Sequence, residues 1–274
     1  MSRVRLKLHG TYNKIKDYAY EEGEPFIDCY DDSAVQECDK PYSIALMIEP
    51  RTIMPHAYEY LERGGWRCFK WIFTHDTKLL VLPNARMITC GSVWSWAAPD
   101  IEKTKGISMI SSWKEMCQLH KARKSLAKMF DIGDKVDCFG SFRGDKDAWI
   151  NTRDAHEAYK FAIVIENHID RLYFTEKLLN CFANKTVPIY IGAEAIGKLF
   201  DENGIIQVDD YRAIPSIVDN LDIDQEYAMR KKAIEHNYDL VEMYANWEQQ
   251  FMRHYEKLLE ELQNDKIEHS NSSI

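Results

Sequence analysis

Between Ile165 and Gly192 the chain sets charged and polar side chains at the ends of apolar segments, where a phosphate-bearing ligand would be held. Phe161–Ile165 (FAIVI) is a short, β-branched apolar run, which suits a strand buried on both faces of a parallel sheet. Glu166 and Asn167 follow at its C-terminal end, the edge where open α/β sheets bind ligands. Thr175 reads as a helix N-cap, with Glu176 and Lys177 opening a helix that continues through Leu178, Leu179 and Phe182. Unpaired N–H groups and the helix dipole favour an anion at such a start. Lys177 puts a full positive charge there, where the dipole alone prefers an acid, and local departures of this kind mark functional sites. The chemistry indicated is diphosphate binding, with Lys177 on the phosphates; the plain alternative is a solvated lysine on an amphipathic helix. Val187–Ile191 (VPIYI) is a second strand, closed by Gly192. Pro188 lacks an N–H, which predicts a strand near an edge or one that begins at the proline.

Taken together, these blocks resemble the donor-sugar motif of glycosyltransferase family 10, the α-1,3/4-fucosyltransferases. The family pattern is an apolar strand, Phe-Glu-Asn-Ser, a loop, Tyr-x-Thr-Glu-Lys, then Val-Pro-x-x-x-Gly. It stands here as Ile165-Glu166-Asn167-His168, Tyr173-Phe174-Thr175-Glu176-Lys177 and Val187-Pro188-Ile189-Tyr190-Ile191-Gly192. Upstream, Val136-Asp137-Cys138-Phe139-Gly140 is similar to a Val-Asp-x-x-Gly strand. Ser108–Ser112 followed by His120-Lys121-Ala122-Arg123 resembles the linker strand and its arginine-bearing helix. Thr74-His75-Asp76, Leu82–Ala85 and Ile48-Glu49-Pro50 resemble the end of the acceptor domain and a Glu-Ser or Glu-Asn pair. The likeness covers about residues 44–215 and is strongest past about residue 105.

The resemblance implies a GT-B fold: two Rossmann-like domains with the active-site cleft between them. It implies an inverting, metal-independent transfer of a sugar, with GDP-fucose the family's usual donor and a glycan hydroxyl the acceptor. Arg123 and Lys177 would neutralise the diphosphate, and Glu176 would bind the ribose hydroxyls. Asn167 and Tyr173 would contact the donor nucleotide, and Glu166 would shape its pocket beside Thr175 and Gly140. Glu49 would be the general base, with His56, His75 and Asp76 as rivals; Pro50 and Thr52 leave open that Glu49 is simply a helix-start acid. Arginine suits phosphate because its planar fork binds two oxygens at once, and a carboxylate suits ribose because it accepts from both hydroxyls.

Departures from the family pattern bear on the donor. His168 stands in place of serine, as a donor-pocket residue or a loop-closing one, and Asn184-Lys185 replaces Ala-Gly. A UDP-linked sugar such as xylose would use the same clamp, and a non-catalytic glycan- or nucleotide-binding protein is the rival class. The chain has no GxGxxG or GxxxxGK[ST] loop, which argues against other nucleotide-dependent α/β enzymes. The motif blocks hold no Asp-x-Asp pair, and the acids near position 30 and Asp209-Asp210 read as solvated loop residues, so no metal and no other cofactor is expected.

The 274 residues are 45% hydrophobic, enough for one large or two medium cores. The net charge of −9, from 44 acidic against 35 basic residues, argues against general nucleic-acid or anionic-membrane affinity. Seven cysteines without a CxxC pair read as free thiols, with Cys29–Cys38 the one pairing to consider. No signal peptide or membrane-length apolar run is visible, which leads to the expectation of a soluble, cytoplasmic enzyme of bacterial or viral type.

The domain expectation is 1–100 for an acceptor-side domain and 107–225 for the donor domain. Helices over 226–265 would pack back on the first domain, and 266–274 would be a polar tail. Strands are expected at 4–8, 43–48 and 68–73, a helix at 54–63 and an acidic mobile loop over 20–40. The polar 97–106 segment reads as the boundary.

Overall fold

The computed structural model describes residues 4–11, 27–98, 100–145, 148 and 150–271. The chain forms two units, one running to Cys90 and resuming at Trp247, the other spanning Gly91–Asn246. The division therefore falls upstream of the polar 97–106 segment.

The first unit is built on a five-stranded sheet in which every pairing is parallel: β1 (Leu6–His9), β2 (Ile27–Asp31), β3 (Ile44–Leu46), β4 (Trp71–Thr74) and β5 (Ala85–Met87), in spatial order 1-2-3-4-5. Helix α1 (Pro55–Glu62) starts at a proline, which is preset for the first helical position, and packs Tyr58 and Leu61 with Tyr30, Phe69 and Ile72. Within the expected acidic loop over 20–40, residues 27–31 are instead a wholly buried strand; residues 20–26 lie outside the described residues. The aspartates of this strand tolerate burial because each has polar partners. Asp28 accepts from His9 Nε2 at 2.8 Å and Lys266 Nζ at 2.9 Å, and Asp31 accepts from the Ser33 N–H at 2.9 Å.

The second unit follows a different winding. Its strands are β6 (Lys105–Ile110), β7 (Val136–Phe139), β8 (Tyr159–Ile165), β9 (Val187–Ile191) and β10 (Ile206–Gln207), parallel and ordered β10-β9-β8-β6-β7. The chain goes from β6 to β7 on one side and then places β8 on the other side of β6. The order reverses between β6 and β8, and a crevice at such a switch point is where doubly wound sheets bind ligands. Helices α2 (Gln118–Phe130), α3 (Glu176–Ala183), α4 (Ile214–Asn220) and α5 (Ile223–Val241) complete the unit.

As Pro188 predicts, β9 lies near an edge, with only β10 outside it. The two-residue β10 pairs only with Ile189 and Tyr190, so the proline stands outside that ladder and its missing N–H costs no bond there.

The C-terminal helices divide. Helix α5 packs on β8 and β9 in the second unit, whereas α6 (Trp247–Asn271) covers the first sheet. Trp247, Phe251, Leu259 and Leu262 form one stripe of α6 and pack against Leu6, Ile44, Leu46 and Phe73. Phe73 meets the rings of Phe251 and Tyr255 edge-on at 4.8 and 4.7 Å. The expected polar tail at 266–274 is helical as far as Asn271, and Lys266 reaches Asp28 from it. All seven cysteines are free, so Cys29 and Cys38 do not pair.

Candidate functional site

In the second unit the polar side chains gather at the C-terminal edge of the sheet, where β8 and β9 end and α3 begins. Glu166 is the first residue past β8 and is fully buried. Its backbone N–H still donates to Ile191 C=O at 2.8 Å, so the carboxylate is fixed by the sheet. Oε1 accepts from the Thr175 N–H at 2.9 Å and Oε2 from the Thr175 hydroxyl at 2.7 Å. Thr175 is the N-cap of α3, so this one carboxylate ties the end of β8 to the start of the helix. Gly192 gives Glu166 its room: a Cβ there would lie 2.3 Å from Tyr190 Oη and 2.6 Å from Glu166 Cγ.

Lys177 lies in the first turn of α3. Its Nζ sits 3.0 Å from Thr175 Oγ1, 3.0 Å from Glu176 Oε1 and 3.5 Å from Glu166 Oε2. About a quarter of its side chain is exposed. It is therefore not an ordinary solvated lysine, since two carboxylates and a cap hydroxyl hold its ammonium over the helix start. Burial works against ionisation of Glu176, but Lys177 outweighs it and holds this carboxyl below its usual range. Burial pushes the Glu166 carboxyl up, with Lys177 and Thr175 opposing. Lys177 itself is held above the usual lysine range by Glu176 and Glu166, against its burial.

Arg123 comes from the buried stripe of α2 and is only 7% exposed. Its guanidinium donates to the Ile165 carbonyl and, at 3.3 Å, to Asn167 Oδ1. Part of the cation expected on a diphosphate thus grips the end of β8, which leaves other N–H groups of its five for a ligand. Two further residues brace Asn167. The Cys117 thiol caps α2 by accepting from the His120 N–H at 3.4 Å and donates to the Asn167 carbonyl at 3.3 Å. The His120 ring also bonds the Asn167 side chain; burial and the neighbouring Arg123 push this imidazole down to about 4, so it is neutral near pH 7. The Cys117 role has no sequence signal, because a thiol is not a usual cap.

Tyr173 is buried with its ring centroid 6.2 Å from that of His168, which is half-buried in the same loop. Gly140 ends the β7 block with φ +92°, and a Cβ there would meet the Ser111 carbonyl oxygen at 2.5 Å. The tight approach draws the ends of β6 and β7 together on the same sheet edge. Arg123, Glu166, Asn167, Thr175, Glu176 and Lys177 are thus one connected cluster beside the switch point. Its formal charges balance: two cations against two carboxylates.

In the first unit, Glu49 lies just past β3 at the C-terminal edge and is exposed. Its rivals differ. Asp76 accepts two bonds from Arg51, at 2.7 and 2.9 Å, and this guanidinium overcomes burial to hold the carboxyl below its usual range. His75 is buried, with Nε2 3.2 Å from the Ile48 carbonyl oxygen. His56 is exposed near the start of α1.

The model of glycosyltransferase family 10 (fucosyltransferase), C-terminal region, matches residues 101–272. The chain belongs to glycosyltransferase family 10. Curated relatives include human 4-galactosyl-N-acetylglucosaminide 3-alpha-L-fucosyltransferase 9, 29% identical over 145 residues, 52% of this chain and 36% of that one. Alpha-(1,3)-fucosyltransferase FucT of Helicobacter pylori is 29% identical over 69 residues, 25% of this chain and 14% of that one. The matches thus span about a third or less of the length of these relatives. Among solved structures, an alpha1,3-fucosyltransferase with GDP aligns at TM-score 0.60 and 13% identity over 94% of this chain and 90% of that one. TarM aligns at TM-score 0.57 and 9% identity over 85% and 54%. With two parallel-sheet α/β units, the family 10 chain has the GT-B fold. Among the described residues no helix is long and apolar enough to cross a membrane.

Proposed function

We propose that this family 10 chain is an inverting glycosyltransferase that moves L-fucose from GDP-fucose to a glycan hydroxyl. The observation that carries the reading is the pairing of Arg123 and Lys177 at the start of α3, beside the switch point of the second sheet. In the reaction, the acceptor oxygen attacks the anomeric carbon as its proton passes to Glu49. The bond from that carbon to the diphosphate breaks on the opposite face, and GDP leaves with the electron pair. Negative charge grows on the leaving diphosphate, and fixed cations lower the barrier by stabilising it. Lys177 and Arg123 supply two positive charges, and the α3 N–H groups supply a third favourable field. We assign this role to them without a divalent metal and with no cofactor beyond the nucleotide sugar. Glu176 takes the ribose hydroxyls, and Asn167, Tyr173 and His168 line the donor pocket near Gly140. The acceptor class follows the names of the relatives, a 4-galactosyl-N-acetylglucosaminide.

The fold alone does not choose the base, since the pneumococcal O-GlcNAc transferase GtfA, at TM-score 0.51, was solved with UDP and GlcNAc. The test is a thermal-shift and calorimetry panel of GDP, UDP, GDP-fucose and UDP-sugars, with and without EDTA. GDP and GDP-fucose should raise the melting temperature equally in EDTA; at a hundredfold excess over Kd, binding stabilises by about 2.7 kcal/mol. Stabilisation by UDP species alone would reassign the donor. Loss of the effect in EDTA would refute metal independence, and no response to any nucleotide would favour a non-catalytic protein. Lys177→Ala should weaken GDP binding by about tenfold or more; unchanged affinity would remove Lys177 from the clamp.

A further inference from the structure

The backbone that carries Glu49 is held in an unusual way. The ladder between β3 and β4 continues as far as the Met47 N–H, which donates to the Phe73 carbonyl at 2.8 Å. In the next two residues, side chains take over. Asp32 Oδ2 accepts from the Ile48 N–H at 3.0 Å and the Glu49 N–H at 2.6 Å. His75 Nε2 meets the Ile48 carbonyl oxygen at 3.2 Å, and the Tyr58 hydroxyl donates to the Glu49 carbonyl at 2.7 Å. All four backbone polar groups of the dipeptide are thus engaged by three side chains, from the ends of β2 and β4 and from α1. Those side chains are themselves buried: Asp32 is 8% exposed, His75 1% and Tyr58 0%. Pro50 follows, and the next residue, Arg51, is locked by its paired bonds to Asp76 and lies over the Tyr58 ring at 4.9 Å. A loop that needed only solvation would take water for these groups. Holding each one with a buried side chain fixes where the exposed Glu49 carboxylate starts from.

We infer that Asp32 is a positioning residue for the transfer reaction, fixing the Glu49 backbone so that the carboxylate meets the acceptor hydroxyl. This rests on Glu49 being the general base. Among the described residues, the titratable groups facing Asp32 include Asp31, Glu49, Tyr58 and Cys90. Burial, partly offset by the two backbone N–H groups, pushes the Asp32 carboxyl up to about 7.

The experiment measures kcat, donor KM and GDP affinity with GDP-fucose and a 4-galactosyl-N-acetylglucosaminide acceptor. Asp32→Ala should lower kcat by about tenfold or more with donor KM and GDP affinity within about twofold. Asp32→Asn keeps an oxygen for the two N–H groups but removes the charge. It should recover most of the turnover. Amide hydrogen exchange at Glu49 should speed up in Asp32→Ala and stay slow in Asp32→Asn. Turnover of Asp32→Ala within twofold of wild type, or Asp32→Asn no more active than Asp32→Ala, overturns the proposal. Glu49→Gln separates the two readings. If it turns over at the wild-type rate, the base assignment falls; if it is inactive while Asp32→Ala is normal, only the positioning role falls.

Discussion

Glu166 shows what a single buried carboxylate does in this molecule. It sits at the end of β8 with no exposed surface, and both oxygens are taken by Thr175. Its ionised form is costly to bury, and the ammonium of Lys177 at 3.5 Å and the two Thr175 donors offset that cost. Glu166→Gln tests this balance. The amide keeps one acceptor for the Thr175 N–H, but its NH2 then faces the Lys177 ammonium and a Thr175 hydroxyl oxygen that already accepts from Lys177. The variant should lose about 1–3 kcal/mol of stability in urea unfolding. It should also bind GDP more weakly, because the helix start is no longer tied to the strand. Wild-type values for both would mean that the carboxylate is incidental. At this scale the sequence was readable in one respect, since the motif residues Glu166, Thr175, Glu176, Lys177 and Arg123 fall in one cluster in the fold. It was unreadable where a residue acts through a partner far along the chain. Asp32 looked like a solvated loop acid, and nothing near it in sequence reveals that Ile48 and Glu49 lie against it.

At the scale of elements, hydrophobic runs with strand-like composition were legible, and β3, β4, β6, β7, β8 and β9 lie within or beside the segments that read as strands. Strand β2 was not, because aspartates at positions 28 and 31 break the apolar signal in a five-residue stretch. They are buried on the strength of tertiary partners, one of them Lys266, 238 residues away. Helix α6 was legible as an amphipathic stripe, but no local pattern says which sheet the stripe covers. Element ends carry their own demands. Strand β9 ends on Gly192 with no room for a side chain, because Tyr190 and Glu166 are both fully buried and neither can move aside. Gly192→Ala should therefore destabilise the second unit by about 1–3 kcal/mol, as overpacking does elsewhere. It should weaken GDP binding through Glu166 as well. Urea unfolding together with calorimetry checks this, and a variant as stable as wild type would show that the strand end has slack.

For the molecule as a whole, the two buried imidazoles of the second unit set its response to acid. His120 and His156 are each 4% exposed, and burial pushes both down to about 4, with Arg123 adding to the effect at His120 and Lys103 at His156. In the unfolded chain each would titrate near 6.5. Between about pH 4 and 6.5 the unfolded state therefore binds more protons, and stability rises with pH across that window. Each histidine contributes up to about 3 kcal/mol to that rise. Glu166 works in the opposite sense, since a carboxyl held above its unfolded value favours the folded state at low pH. The histidines, joined at the acid end by lowered carboxyls such as Glu176, outnumber Glu166, and the second unit should lose stability on acidification below about pH 6.5. Replacing one histidine tests the assignment directly. His156→Gln removes a group that must stay neutral in the fold, so the variant should show a flatter dependence of unfolding free energy on pH between 4 and 6.5. The measurement is a series of urea titrations across that range, following the transition of the second unit through Trp94, Trp96 and Trp113. A slope identical to wild type would mean that His156 finds a proton acceptor in the folded state and titrates there as it does in the unfolded chain.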